Sequence, residues 1–193
     1  MSTSDSVWIL VFIGIVIISI VIAYYQKKKQ QEILQYQAEK RNGRIEKGNF
    51  LAPDRLVLPF GSQELQVYSI PGGKNRPSKT IAELRNNNTP FPQIKIVRNN
   101  LFQKALETFG RERFLSGDEE FDKTFVVQAD DNGSARRALP YEIQKSLLEM
   151  ASKSPSIEIS PQNFKLIILR VIRDSEGYDL FIDTALAILN KLK

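Results

Sequence analysis

Residues 7–25 read VWILVFIGIVIISIVIAYY, a run without a single charged side chain. At ~1.5 Å per residue, a helix of that length spans roughly 28 Å, close to the hydrocarbon thickness of a bilayer. Trp8 stands at one end and Tyr24 and Tyr25 at the other, where amphipathic rings meet the headgroup layers. The pattern predicts a single transmembrane helix behind a short tail, residues 1–6. A cleaved leader would need a basic start and a small-residue cleavage site, but MSTSDS has no Lys or Arg and AYYQKKK offers no A-x-A. Gly14 has no small residue four positions away, so no GxxxG dimer face is expected.

Beyond the apolar run, residues 26–43 are rich in Gln and Lys, with scattered apolar positions at Ile33, Leu34 and Tyr36. Good helix formers without Gly or Pro predict a juxtamembrane helical stalk that stops at Asn42-Gly43. Its apolar positions are too sparse for a sustained coiled coil.

Residues 44–193 are enough for one domain with its own core, and their pattern reads as complete without the stalk. Leu56, Leu58 and Phe60 alternate, Gly61-Ser62 turn the chain, and Leu65 and Val67 alternate again, which predicts a hairpin. Residues 74–92 are polar and proline-bearing and read as a long loop with one helical turn at 80–84. Strands are expected at 93–98, 124–129 and 157–160. A central strand is expected at 164–172, apolar on both faces. Helical spacing predicts helices at 101–109, 140–152 and 178–192; Tyr178, Phe181, Ile182, Ala185, Leu186 and Leu189 mark the core face of the last. The fold class is therefore α+β: an N-terminal transmembrane helix and stalk, then a mainly antiparallel sheet with packed helices, including a C-terminal one.

Charge adds an orientation. Asp5 is the one charged side chain before the apolar run, whereas Lys27, Lys28 and Lys29 follow it at once. The positive-inside rule then puts residues 44–193 in the cytoplasm, with the three lysines against lipid headgroups. The formal net charge is +5, from 27 basic and 22 acidic residues, and the charges are interspersed, so no nucleic-acid stripe is expected. The chain has neither Cys nor His. That excludes disulfides, thiolate or imidazole zinc sites, Cys nucleophiles, Ser-His triads and His general bases.

The remaining motifs fall short of the chemistry they would need. GKNRPSKT at 73–80 differs from a phosphate-binding loop by one Gly, but Ser78 restricts the backbone and Pro77 lacks an N–H, so a solvated basic loop is expected. The acid-rich stretch SGDEEFDKTFVVQADDNGSARRAL fails as a Ca²⁺ loop: with Gly133 sixth, position one is Gln128 and position twelve Leu139. Asp130-Asp131-Asn132-Gly133 reads as a turn in which Gly133 supplies φ > 0. Asp118 is expected to cap a short helical turn, Asp122 to anchor the start of the following strand, and Phe121 and Phe125 to enter the core together. Sequons at Asn87 and Asn132 matter only on a lumenal domain.

The spacing Gly117-Asp118, Phe121-Asp122, Phe125 (GD-x-x-FD-x-x-F), followed by Val127, Asp130 and residues 135–139, resembles a module of bacterial membrane-anchored proteins of unknown function. The resemblance covers about 117–193. It implies architecture, a bacterial source, a single-pass anchor and a cytoplasmic domain, and carries no catalytic residue with it. The five signature residues are read as structural.

Three functions compete on this reading. The first is a membrane-tethered, non-enzymatic interaction or scaffold module, with the bilayer and a protein as partners and no cofactor or metal. The second is an anionic-lipid or membrane-surface sensor using Lys27, Lys28 and Lys29 and the basic loop Lys74, Arg76 and Lys79. The third is a hydrolase using Asp118 and Asp122.

Overall fold

The computed structural model describes residues 3–49, 52–86, 90–99 and 113–192. One helix, α1 (Thr3–Lys40), runs unbroken through the apolar segment and the Gln-rich stretch. At ~1.5 Å per residue its 38 residues reach roughly 57 Å. It ends where the sequence predicts, with the Gly43 N–H on the Ala38 carbonyl at 2.8 Å. Asn42, at φ 51°, takes the left-handed position. Gly43 serves close approach: a Cβ there would lie 2.6 Å from Leu58 Cδ2.

The described strands form one sheet. They are β1 (Arg44–Glu46), β2 (Arg55–Phe60), β3 (Gln63–Ile70), β4 (Lys79–Arg85), β5 (Ile94–Arg98), β6 (Arg113–Phe114), β7 (Phe125–Ala129), β8 (Ser156–Ser160) and β9 (Asn163–Ile168). Their order is β1-β2-β3-β4-β9-β8-β5-β7-β6, and every described pairing is antiparallel. The expected hairpin is β2–β3, with Gly61 at φ 62° in its turn. β9 is central, as its apolar character predicted, but it stops at Ile168 and 169–174 form a loop.

The other described helices are α2 (Glu119–Thr124), α3 (Asn132–Ala138), α4 (Tyr141–Glu149), followed by a 3₁₀ turn at Ala151–Lys153, and α5 (Ser175–Lys191). They cover one face of the sheet. Leu56, Leu65, Leu84, Phe164, Ile96 and Val127 point into the same core as Phe121, Leu147, Phe181 and Leu189. The opposite face mixes polar side chains with buried Val57, Ile81 and Val126, and Lys165 and Glu83 pair there at 3.3 Å on adjacent strands.

Three expectations change. The helical turn expected at 80–84 is strand β4, because pairing on both sides, with β3 and β9, outweighs the helix preference of Ala82, Glu83 and Leu84. The turn expected at 130–133 is the start of α3. The Asp131 carboxylate accepts from the Gly133 N–H (3.0 Å) and the Ser134 N–H (2.7 Å), so the same Asx chemistry that closes turns begins a helix, and Gly133 needs no positive φ. The stalk does not stand apart from the domain: Leu34 and Ala38 belong to the hydrophobic core and Gln37 is buried. The helix expected at 101–109 lies outside the described residues, as does the Asn87 sequon.

Candidate functional site

The last third of α1 meets α5 and the ends of β3 and β4 through a chain of hydrogen bonds. Gln30 Nε2 donates to Tyr178 Oη at 2.6 Å. Ser69 Oγ lies 3.3 Å from Tyr178 Oη and 2.9 Å from Thr80 Oγ1. Thr80 Oγ1 donates to the Arg170 carbonyl (2.8 Å) and accepts from the Ile172 N–H (3.2 Å). A hydroxyl has one proton to give, so the directions follow: Tyr178 donates to Ser69 and Ser69 donates to Thr80. The chain crosses from the helix into the sheet with its buried hydroxyls satisfied. Burial raises the Tyr178 phenol, against the pull of Ser69 and Gln30, so it remains a protonated donor.

About two turns further along, Gln37 Nε2 donates to Ser175 Oγ (3.0 Å) and to its carbonyl (3.2 Å), and Arg41 Nη1 donates to Gln37 Oε1. Arg41 Nη2 bridges Asp179 (2.8 Å) and Asp183 (2.6 Å), while Lys40 reaches Asp179 at 2.8 Å. Burial works against the charge on Arg41, but bonds to Asp183 and Asp179 outweigh it and raise the guanidinium further. Burial likewise opposes ionisation of Asp179, and bonds from Lys40 and Arg41 overcome it and hold the carboxyl below its ordinary range. Sequence reasoning missed Gln30, Gln37, Arg41, Ser69 and Asp179 as a unit. The signal is a helical stripe, Gln30-Ile33-Leu34-Gln37-Ala38-Arg41, whose polar members look like solvated stalk surface until a partner helix is in place.

Beside this junction lies a groove of about 990 Å³, bounded by the turns of α1 that follow the apolar run and by the loops around Asp54, Pro71 and Arg173. Lys27 and Lys29 line it, while Lys28 faces a second, smaller groove on the other side of the helix. All three lysines are exposed.

The acid-rich segment is assembled differently. Asp118 caps α2 by accepting from the Phe121 N–H at 2.9 Å. Asp122 reaches back rather than forward, one oxygen on the Ser116 N–H (2.9 Å) and the other on the Gly117 N–H (3.2 Å). It therefore closes the loop before the helix rather than anchoring the start of β7. Gly117, at φ 90°, occupies backbone space that side chains strain to reach. Phe121 and Phe125 are fully buried with ring centroids 5.1 Å apart. Among the described residues, no group of three or more Asp or Glu is placed to hold a metal ion.

The site thus belongs to an α+β domain, an antiparallel sheet with helices on one face, into which a long N-terminal helix is built. A solved structure has the same kind of fold: the crystal structure of the mycobacterial trehalose monomycolate transport factor A, TtfA, aligns with a TM-score of 0.53 at 13% identity, over 84% of this chain and 93% of that one. At that identity the likeness is one of fold. No family model and no curated protein matches the chain.

Proposed function

We propose that the chain is a single-pass, membrane-tethered interaction module that recruits or positions a protein partner at the membrane and performs no chemistry of its own. One observation carries this reading. The same unbroken helix presents uncovered apolar side chains at one end, among them Phe12, Ile15 and Ile20, and core residues Leu34 and Ala38 at the other. Among the described residues it is the one helix long and apolar enough to cross a membrane. The charge-paired junction couples it to the domain, so the domain is held at a set angle to the anchor rather than on a free tether. In the acid-rich segment Asp118, Asp122 and Asp131 bind backbone N–H groups, which favours a structural role over hydrolysis. The name of the solved neighbour, a transport factor, is in keeping with an accessory role. The lysines after the apolar run favour a cytoplasmic domain.

Three measurements test the proposal. The full-length protein should resist alkaline carbonate extraction, and alkaline phosphatase fused after Lys193 should be inactive. Cross-linking in the native membrane should trap one stoichiometric protein partner, lost when residues 3–25 are replaced by a soluble tag. Complete extraction, or a chain that cross-links to nothing, overturns it.

A further inference from the structure

We infer that the groove between α1 and the sheet holds the headgroup of an anionic phospholipid from the bilayer that α1 enters; this rests on the membrane reading above. Strand register brings the groove's parts together. Arg55 pairs with Tyr68, Ser69 with Thr80 and Thr80 with Ile168, so residues 47–49 and 52–54 and the loops 71–78 and 169–174 share one end of the sheet. The α1 turns 26–34 cross that same end, because Gln30 bonds Tyr178 there and Tyr178 bonds Ser69. Lys27 is two residues past Tyr25, about 3 Å along the helix from the end of the apolar run. The groove mouth therefore opens at headgroup depth, since each polar layer is roughly 5–8 Å thick.

The charges at this end are unequal in kind. Lys27, Lys29 and Arg173 line the groove and make no ion pair among the described residues. The same loops also carry Lys47, Lys74, Arg76 and Arg170. Their acids are turned to local use: Asp54 accepts from the Gly48 N–H (2.8 Å) and Gln31 (3.1 Å), and Asp174 caps α5 through the Gly177 N–H (2.6 Å). The acidic helix α2 is at this end too, but beside β7, three strands from β9 and about 14 Å away at the usual strand spacing. The walls are apolar, formed by Ile33, Leu34, Pro53 and Val171. Free cations at the mouth, a guanidinium suited to phosphate oxygens and an apolar wall match a phosphodiester followed by the first methylenes of an acyl chain.

The test uses the full-length chain in nanodiscs of phosphatidylcholine with and without phosphatidylglycerol, released for native mass spectrometry. Wild-type protein should retain phosphatidylglycerol in preference to phosphatidylcholine. The triple variant Lys27→Gln, Lys29→Gln, Arg173→Gln should retain it roughly tenfold less, whereas Lys28→Gln, Lys74→Gln, Arg76→Gln, which removes the same charge outside the groove, should stay within about twofold of wild type. Equal losses in the two variants would mean diffuse attraction and overturn the site. So would retention without headgroup preference, or displacement of the lipid by soluble glycerol phosphate at equal concentration, which would indicate a free phosphate-ester site. If the groove triple does not fold, Arg173→Gln alone, on an exposed loop, carries the same expectation. The membrane reading fails by carbonate extraction; this inference fails with the chain still embedded.

Discussion

Two regions of the molecule are rich in charge and use it in opposite ways. At the junction of α1 and α5, Lys40 and Arg41 bind Asp179 and Asp183, more than 130 residues away in sequence. In the segment from Ser116 to Leu139, Asp118, Asp122 and Asp131 bind backbone N–H groups within six residues of themselves, and Glu119 pairs with Lys123 one turn away. The first region ties distant elements together. The second shapes its own backbone with its acids and leaves tertiary attachment to buried apolar residues, Phe121, Phe125, Val127 and Leu139 among them, and to the pairing of β7 with β5. Acid density therefore says little about role; what matters is whether the partner is local.

The comparison makes predictions that can break it. The largest concerns the stalk. A fragment beginning at Arg44 lacks buried Leu34, Gln37 and Ala38 and the whole junction, and should be less stable than one beginning at Gln26 by about 4–6 kcal/mol. Urea denaturation of the two fragments measures it, and equal midpoints would mean that the junction is ornamental. Next, Phe125→Ala should cost about 3–5 kcal/mol, since its ring is fully buried against Phe121. Tyr178→Phe comes third. It removes a hydroxyl that links Gln30 to Ser69 and should cost about 1–3 kcal/mol by the same assay. Asp118→Ala should cost about 0.5–2 kcal/mol as a lost helix cap, and Glu119→Ala should stay within about ±0.5 kcal/mol. If Asp118→Ala exceeded Phe125→Ala, the view of the segment as locally capped and aromatically anchored would be reversed.

The smallest effect is a pH dependence. Asp179 is held below its ordinary pKa in the folded state, so its contribution is complete above the unfolded value of about 3.9 and is lost as pH falls through the lower folded value. Thermal melts of the fragment 26–193 and its Asp179→Asn variant should differ by a constant amount between pH 7 and about 5, and converge as pH falls below the unfolded value. A gap that persists in acid would assign the effect to packing rather than to the ion pair. Added salt should narrow the gap at neutral pH, because Asp179 and Lys40 are partly exposed.

Local signals were legible and long-range ones were not. The β2–β3 hairpin, the Asp118 cap, the Asn42-Gly43 stop and the C-terminal helix could be read because their determinants lie within a few residues. β4 could not be read, since TIAEL favours a helix until β3 and β9 supply partners on both sides. At 130–133 the chemistry was read correctly and the geometry was not, because an Asx side chain closes a turn and starts a helix with the same bonds.

The sequence by itself determined that the chain begins with a long apolar segment, that an α+β domain follows, and that Cys and His chemistry is absent. Those properties depend on composition and on periods of two or 3.6 residues. Tertiary structure alone decided that Gln30, Gln37 and Arg41 are junction residues rather than stalk surface. It also decided that Lys27 and Lys29 border a groove which Lys28 does not reach. A glutamine or lysine on a helix has no preferred face of its own; the surface that packs against the helix, assembled from loops more than a hundred residues apart, assigns it one.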